Sequence, residues 1–172
     1  GHAQRLEKIV PNILTHFKDK IEFNIYGDGA RSQTLEASVK KYANVALHGP
    51  VNRKSLVGAY ENSDVLFLHL ADEEVFKSVI PSKIFEYAAT GKPIVAGLSG
   101  KAADFVRKIP GSYIFEPENI KEANYCLEKA IRSRGNIRRD KFIANYSRDT
   151  IMKNLVSTMV RAVSKKAMSK VV

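Results

Sequence analysis

Residues 78–97 read SVIPSKIFEYAATGKPIVAG, and their order of loop, short helix, tight stop and buried strand decides the fold. Pro81 suits the first position of a helix, because its missing N–H is an unpaired donor there in any case. Gly91, followed by Lys92-Pro93, suits a left-handed helix stop. Within the helix expected over 82–90, Ile84, Phe85, Ala88 and Ala89 turn toward a core. Ser82, Lys83 and Glu86 share the opposite face. Lys83 in the first turn opposes the helix dipole at a cost of about 0.3–1 kcal/mol. An anion docked on the N–H groups of the helix start removes that conflict. Glu86, one turn deeper, then accepts hydrogen bonds from hydroxyls of the same ligand. An exposed helix face with ordinary charges explains the same letters equally well.

Outward from this stretch, short apolar runs mark strands at Glu22–Tyr26, Val45–His48, Val65–Leu70, Pro93–Gly97 and Ser112–Phe115. VLFLHL and PIVAG are apolar on successive residues, as strands covered on both faces are. Helical patterns lie between them: residues 30–41, then 53–62 with Leu56, Val57 and Tyr60, then 101–109 with Ala102, Phe105 and Val106. Strands alternating with helices predict an α/β fold, a Rossmann-like doubly wound parallel sheet. Ligands of such sheets bind beyond the carboxyl ends of the strands, where the 82–90 helix begins.

The two ends depart from this alternation. After Gly1-His2, which read as a cloning remnant, a helix begins at once. Leu6, Ile9, Val10, Ile13, Leu14 and Phe17 form its buried stripe, and Pro11 is expected to kink or split it. A βαβ domain opens on a strand, so the chain reads as starting one strand late. From 119 onward only helices are expected, roughly 119–133, 137–145 and 147–166, with breaks at Gly135-Asn136 and at Asn145-Tyr146-Ser147, where Ser147 is an N-cap. Residues 1–172 are thus expected to form a single domain whose 119–172 part is all helical.

Composition narrows the class. With 44% hydrophobic and 27% charged residues, the chain suits a folded soluble domain with a sizeable core. No apolar run approaches the roughly 18 residues that span a bilayer, and no signal peptide is visible. The single cysteine, Cys126, reads as a small buried hydrophobe in a helix, which fits a reducing, cytoplasmic setting. Of the net charge of +10, residues 121–172 hold +9, from thirteen Lys/Arg and four Asp/Glu. Such a segment suits nucleic acid, an anionic membrane, an acidic partner or plain solvation.

Individual motifs leave alternatives open. Gly27-Asp28-Gly29 follows a strand and precedes a helix, either as a plain tight turn or as backbone brought near a ligand. It is not G-x-G-x-x-G, and no acidic residue ends a strand about 20 residues later, so a dinucleotide site is not expected. His48-Gly49-Pro50-Val51-Asn52-Arg53 ends the second strand. It can present backbone groups and Val51 to a nucleobase, or form a strand-to-helix turn with Asn52 as N-cap. Asp72-Glu73-Glu74 reads as a solvated loop, a metal ligand set or sugar-contacting acids. His2, His16, His48 and His69 show no metal-ligand spacing, and there is no G-x-S-x-G elbow or Walker sequence.

Taken together, FNIYGDG, VALHGPV, YENSDVLFLHL and PSKIFEYAATGKPIVAG resemble, in order and spacing, the C-terminal, nucleotide-sugar-binding half of GT-B glycosyltransferases. The closest resemblance is to the bacterial retaining "group 1" (family 4) enzymes of surface polysaccharide synthesis. The P-S-K-x-x-E-Y-x-A-x-G-K-P form is similar to that of N-acetyl-amino-sugar transferases of O-antigen and capsule assembly. The resemblance implies that Glu86 binds the nucleotide ribose and that Ile80, Pro81, Ser82 and Lys83 form the diphosphate-binding loop. It also implies that Val51 and Arg53 contact the base, with Gly27 beside the nucleotide-sugar. The family's first glutamate falls on Ser78, so the chain departs there: either Glu73 or Glu74 takes over the donor sugar or the sugar contacts are made differently, which leaves Glu73, Glu74 and Ser78 as candidates. No metal or other cofactor is implied, the substrate being a UDP-sugar. The implied partners are that donor and a glycan or lipid-linked acceptor held by an N-terminal domain. That domain, and the first strand of this half, are expected to be absent from the chain, leaving a fragment without turnover. The catalytic group is not identified. A cytoplasmic location, peripheral on the anionic inner membrane face, follows from such acceptors. The last helix carries Ile151, Leu155, Thr158, Met159 and Ala162 as a stripe expected to pack on protein rather than lipid. The alternative is a non-enzymatic nucleic-acid-binding α/β module that uses the basic C-terminal helices.

Overall fold

Leu6, Ile9, Val10, Ile13, Leu14 and Phe17 recur at three- and four-residue spacing. A computed structural model, which describes residues 3–168 with side chains as far as Ala162, folds them into a single helix, α1 (Leu6–Phe17). Gly1 and His2, including the expected remnant, lie outside the described residues. Pro11 sits inside α1, and of the two expected outcomes, a kink or a split, the split does not occur. Its lost N–H forfeits one bond, but Ile9, Val10, Ile13, Leu14 and Phe17 are all buried, and this burial outweighs the loss. Thr15 Oγ1 also donates to the Pro11 carbonyl at 2.9 Å.

All five expected strands form, several one residue shorter at an end: β1 (Phe23–Tyr26), β2 (Val45–His48), β3 (Leu66–His69), β4 (Ile94–Gly97) and β5 (Ser112–Phe115). Between and after them run α2 (Ser32–Val39), α3 (Arg53–Asn62), α4 (Glu74–Lys77), α5 (Lys83–Ala89), α6 (Gly100–Arg107) and α7 (Ile120–Arg132). Every strand pair is parallel, giving the expected Rossmann-like α/β layout. The strands fall into two ladders, β1-β2 and β3-β4-β5. In the first, Phe23 pairs Val45; in the second, Leu66 pairs Ile94 and Ile94 pairs Ser112. Between β1 and β3 the contact is made by side chains, with the Phe23 and Phe67 rings edge to face at 5.3 Å.

One face of the strands, with Val95 and Phe115, packs on the apolar stripes of α1 and α7 in a single core. Cys126 is buried there as expected. Leu66, Leu68, Ile94 and Ala96 are buried on alternate positions and therefore point to the other face. Gly97 closes β4 where no side chain fits: a Cβ would lie 2.4 Å from His69 Cδ2 and 2.7 Å from the Phe115 ring. His69 is buried with both ring nitrogens engaged. Nδ1 donates to the Gln4 carbonyl at 2.6 Å, and Nε2 accepts from Glu118 N–H at 3.1 Å.

The described chain divides into two compact units, which meet between Arg138 and Arg139. The first holds all strands and α1–α7. The second holds α8 (Asp140–Tyr146) and α9 (Arg148–Met168). Ser147 is the N-cap of α9, its Oγ accepting from Thr150 N–H at 3.3 Å. Along the α9 stripe expected to pack on protein, Ile151, Leu155 and Met159 are 48%, 47% and 59% exposed. No described helix is long and apolar enough to cross a membrane.

Candidate functional site

Because the strands are parallel, the loops after β1, β2 and β3 emerge at one edge of the domain. GDG, HGPVNR and ADEEVFKSVIPS therefore lie along the same rim, where open α/β sheets bind ligands. Asn52 caps α3, its side chain accepting from Ser55 N–H at 2.9 Å. That cap fixes where α3 begins and hence which side chains face inward. Arg53, Leu56, Val57 and Tyr60 fall at helical spacing on one face. Across from them stand Glu86 and Ala89 of α5, and the three elements α3, α5 and 134–136 enclose a groove of about 780 Å³. Asp64, Lys92 and Arg134 also line it.

The wall at 134–136 is held by the helix stop. Gly91 has φ of +72°, the left-handed stop expected there. Its carbonyl accepts from Ile137 N–H at 2.8 Å, and a Cβ on Gly91 would strike Asn136 Oδ1 at 2.1 Å. Glycine is thus required both for the turn and for the close approach of the wall.

Across the groove, Tyr60 OH donates to Glu86 Oε2 at 3.1 Å. The Tyr60 ring meets that of Tyr87 edge to face at 5.3 Å. Tyr87 is buried, and its own OH reaches the Phe67 carbonyl at 3.4 Å. Burial raises the Tyr60 phenol well above its ordinary range, and Tyr87 and the bond to Glu86 add to this. The Tyr87 phenol is pushed up to about 12, chiefly by burial and then by the Glu86 charge. Both phenols therefore stay protonated at ordinary pH, and Tyr60 keeps its proton for Glu86.

Of the residues singled out by sequence, the structure brings Arg53 and Glu86 together in the groove. Val51 is 39% exposed on the rim loop two residues before Arg53. Gly27, with φ of +118°, turns the chain after β1 and has open space around it. Its N–H donates to the His48 carbonyl at 3.1 Å and extends the β1–β2 ladder by one bond. Gly27, Val51 and Ile80–Lys83 lie outside the groove lining.

The start of α5 differs from expectation. Pro81 does not open the helix; its carbonyl accepts from Ile84 N–H at 3.1 Å, and the Ser82 carbonyl accepts from Phe85 N–H at 3.1 Å. This tight first turn uses two of the N–H groups expected to face an anion. On α5 the core side is Ile84, Tyr87 and Ala88, whereas Ala89 is exposed to the groove. Tyr87 takes the core position because its hydroxyl finds a carbonyl there.

Among the donor-sugar candidates, Glu73 pairs with Arg5 at 2.5 Å. Glu74 pairs with Lys77 at 3.0 Å, and Ser78 is exposed. No cluster of metal-ligating side chains occurs among the described residues. Tyr60 was legible only as a helix-pattern residue, yet it stands seven positions, two turns, after Arg53, which is the signal that places both on one face. The wall at Arg134–Asn136 had no sequence signal beyond the helix break.

The parallel strands, flanked by helices and bordered by a groove between α3 and α5, define an α/β domain of the Rossmann-like class. The family model described as "Glycosyl transferases group 1" matches residues 1–132, and the chain belongs to that family. Among solved structures, a glycosyltransferase from Rickettsia africae ESF-5 is similar with a TM-score of 0.57 at 17% identity, over 76% of this chain and 38% of that one. AviGT4, a glycosyltransferase involved in avilamycin A biosynthesis, is similar with a TM-score of 0.57 at 15% identity, over 95% of this chain and 49% of that one. At such identities the likeness is one of fold. The chain spans about half or less of the length of these structures. Comparison with curated proteins gave no match.

Proposed function

We propose that this chain is the donor-binding, C-terminal half of a GT-B, family 4 retaining glycosyltransferase, and that it binds a UDP-sugar in the α3–α5 groove and along the adjoining rim. The observation that carries the reading is the facing pair Arg53 and Glu86, on helices that leave neighbouring points of the carboxyl rim. Glu86 accepts hydrogen bonds from the ribose, Arg53 and the Val51 loop border the base, and Ile80–Lys83 with the rim at Gly27 receive the diphosphate. Lys83 and the remaining N–H groups stabilise the diphosphate as leaving group, where negative charge develops as the glycosidic bond breaks. The binding needs no metal in this scheme. The acceptor and the catalytic group belong to a second domain, so this chain alone binds donor without turnover. The biological setting that fits is bacterial surface polysaccharide assembly, such as O-antigen or capsule, with transfer of an N-acetylhexosamine or hexose at the cytoplasmic membrane face. Family membership over residues 1–132 supports this over the nucleic-acid alternative, because the match covers the α3 and α5 sides of the groove and not α8 and α9. Titration calorimetry with UDP tests the reading: saturable binding unchanged by EDTA is expected, and no saturable binding at millimolar UDP refutes it.

A further inference from the structure

Glu86 is a carboxylate on a seven-residue helix at the side of an open groove, where an isolated glutamate samples several rotamers. Three features restrain this one. Tyr60 donates to Oε2 at 3.1 Å from the opposite helix. The Tyr60 ring cannot swing freely, because it meets the Tyr87 ring edge to face at 5.3 Å. Tyr87 is anchored in turn, 9% exposed, and follows Glu86 directly on α5. The two helices are therefore bolted together by the same pair of tyrosines that holds the carboxylate. One Glu86 oxygen is oriented by Tyr60, which leaves Oε1 and the remaining lone pair of Oε2 to accept from a ligand.

Resting on the donor-binding reading above, we infer that Tyr60 is a positioning residue that orients Glu86, and that the Tyr60–Glu86 pair makes the groove selective for a nucleotide with ribose hydroxyls. The logic is that of a preorganised acceptor. A hydroxyl pair finds a carboxylate already fixed, whereas a sugar lacking the hydroxyls leaves part-buried oxygens with fewer partners. The Tyr60 hydroxyl is spent on Glu86, so its effect is expected at the sugar of the nucleoside. Its high phenol pKa, set by burial first, keeps the donated proton in place across the working pH range.

The test compares UDP with 2′,3′-dideoxy-UDP on the wild-type chain, Tyr60→Phe, Glu86→Gln and the double variant, by calorimetry, with thermal melts alongside. Wild type is expected to prefer UDP. Tyr60→Phe keeps the ring packing and should reduce that preference by about threefold to tenfold, the range of one hydrogen bond. The reduction should come from weaker UDP binding, with dideoxy-UDP unchanged. In the double variant the two effects should not multiply, because both act through one carboxylate. If wild type prefers UDP and Tyr60→Phe preserves the preference, or weakens both nucleotides equally, Tyr60 is merely structural and the inference falls while the donor site stands. If wild type binds neither nucleotide, or both equally, the ribose role of Glu86 fails and carries this inference down with it.

Discussion

Replacing Glu86 by alanine separates ligand binding from folding, because the structure assigns Glu86 to the groove rather than to the core. Its carboxylate has one hydrogen-bond partner described here, the Tyr60 phenol at 3.1 Å, and its side chain lines the groove. Hydrogen bonds to a charged group contribute about 1.5–3 kcal/mol, and 1.4 kcal/mol is a factor of ten. Glu86→Ala should therefore raise the Kd for UDP by roughly tenfold to a hundredfold. The cost to the fold is smaller. Tyr60 loses an acceptor, but it borders an open groove and water replaces the carboxylate, so about 1 kcal/mol or less is expected. At 2–4 °C per kcal/mol for a chain of this size, Tm should fall by no more than about 4 °C. Calorimetry gives the first number and a circular-dichroism melt the second. A variant that binds UDP like wild type but melts more than about 10 °C lower would show Glu86 to be a structural residue. The paired variant Lys83→Ala should weaken UDP binding without altering the melt; unchanged affinity in it removes the diphosphate loop from the site.

Gly97→Ala should destabilise by about 1–3 kcal/mol, because its methyl would overlap His69 and Phe115, whereas Gly58→Ala in α3, with nothing within 4 Å, should stabilise by up to about 1 kcal/mol; equal Tm values for the two variants would contradict the packing described. Burial holds His69 below its ordinary value of 6.5, so the folded chain stays neutral there while the unfolded chain takes up a proton, and stability should decline as pH falls from 6.5 toward the lower folded value. A Tm that is flat from pH 7 to 5 would refute it. The basic residues of 121–172 should give salt-sensitive sedimentation with anionic liposomes, at about 1 kcal/mol per surface-facing Lys or Arg; equal binding to neutral vesicles would refute the electrostatic account.

β3 and β4 were legible because burial on both faces leaves unbroken apolar runs, and β2 and β5 occupy the residues expected. The caps were legible too: Asn52, Gly91 and Ser147 each act where their chemistry predicts. The misreadings share one cause, the priority of tertiary packing over local rules. Pro11 is tolerated because the α1 stripe is buried so completely. Pro81 supplies a carbonyl rather than the first helical residue, since a tight turn already satisfies Ile84 N–H. Tyr87 displaces Ala89 from the core because its hydroxyl finds the Phe67 carbonyl. Within the site, Glu86 and Arg53 were readable from motif and resemblance. Their partner Tyr60 was not, since a contact between residues 26 positions apart depends on how α3 lies against α5.

Under the proposed function Glu73 and Glu74 are the acidic candidates for the donor sugar, and their ion pairs differ. Glu74 is held only by Lys77, one turn along α4, and its side chain is 88% exposed, a pairing that fixes a carboxylate weakly. Glu73 is fixed more firmly, by Arg5 at 2.5 Å. Arg5 also reaches Glu118 at 3.6 Å, and Lys8 holds Glu118 at 3.1 Å. Arg5 thus keeps an acid partner if Glu73 turns to a sugar hydroxyl, and no charge is stranded by the exchange. Glu73 is therefore both placed and releasable, and under the proposed function it takes the part of the glutamate that Ser78 replaces. Glu73→Ala should leave the affinity for UDP within about twofold of wild type and abolish the gain of a UDP-sugar over UDP, a difference of roughly one hydrogen bond. The same competition titration on Glu74→Ala should show the gain intact. If Glu74→Ala loses it and Glu73→Ala does not, the Arg5 network is a brace for α1 and the end of β5, and the exposed acid is the one that meets the sugar.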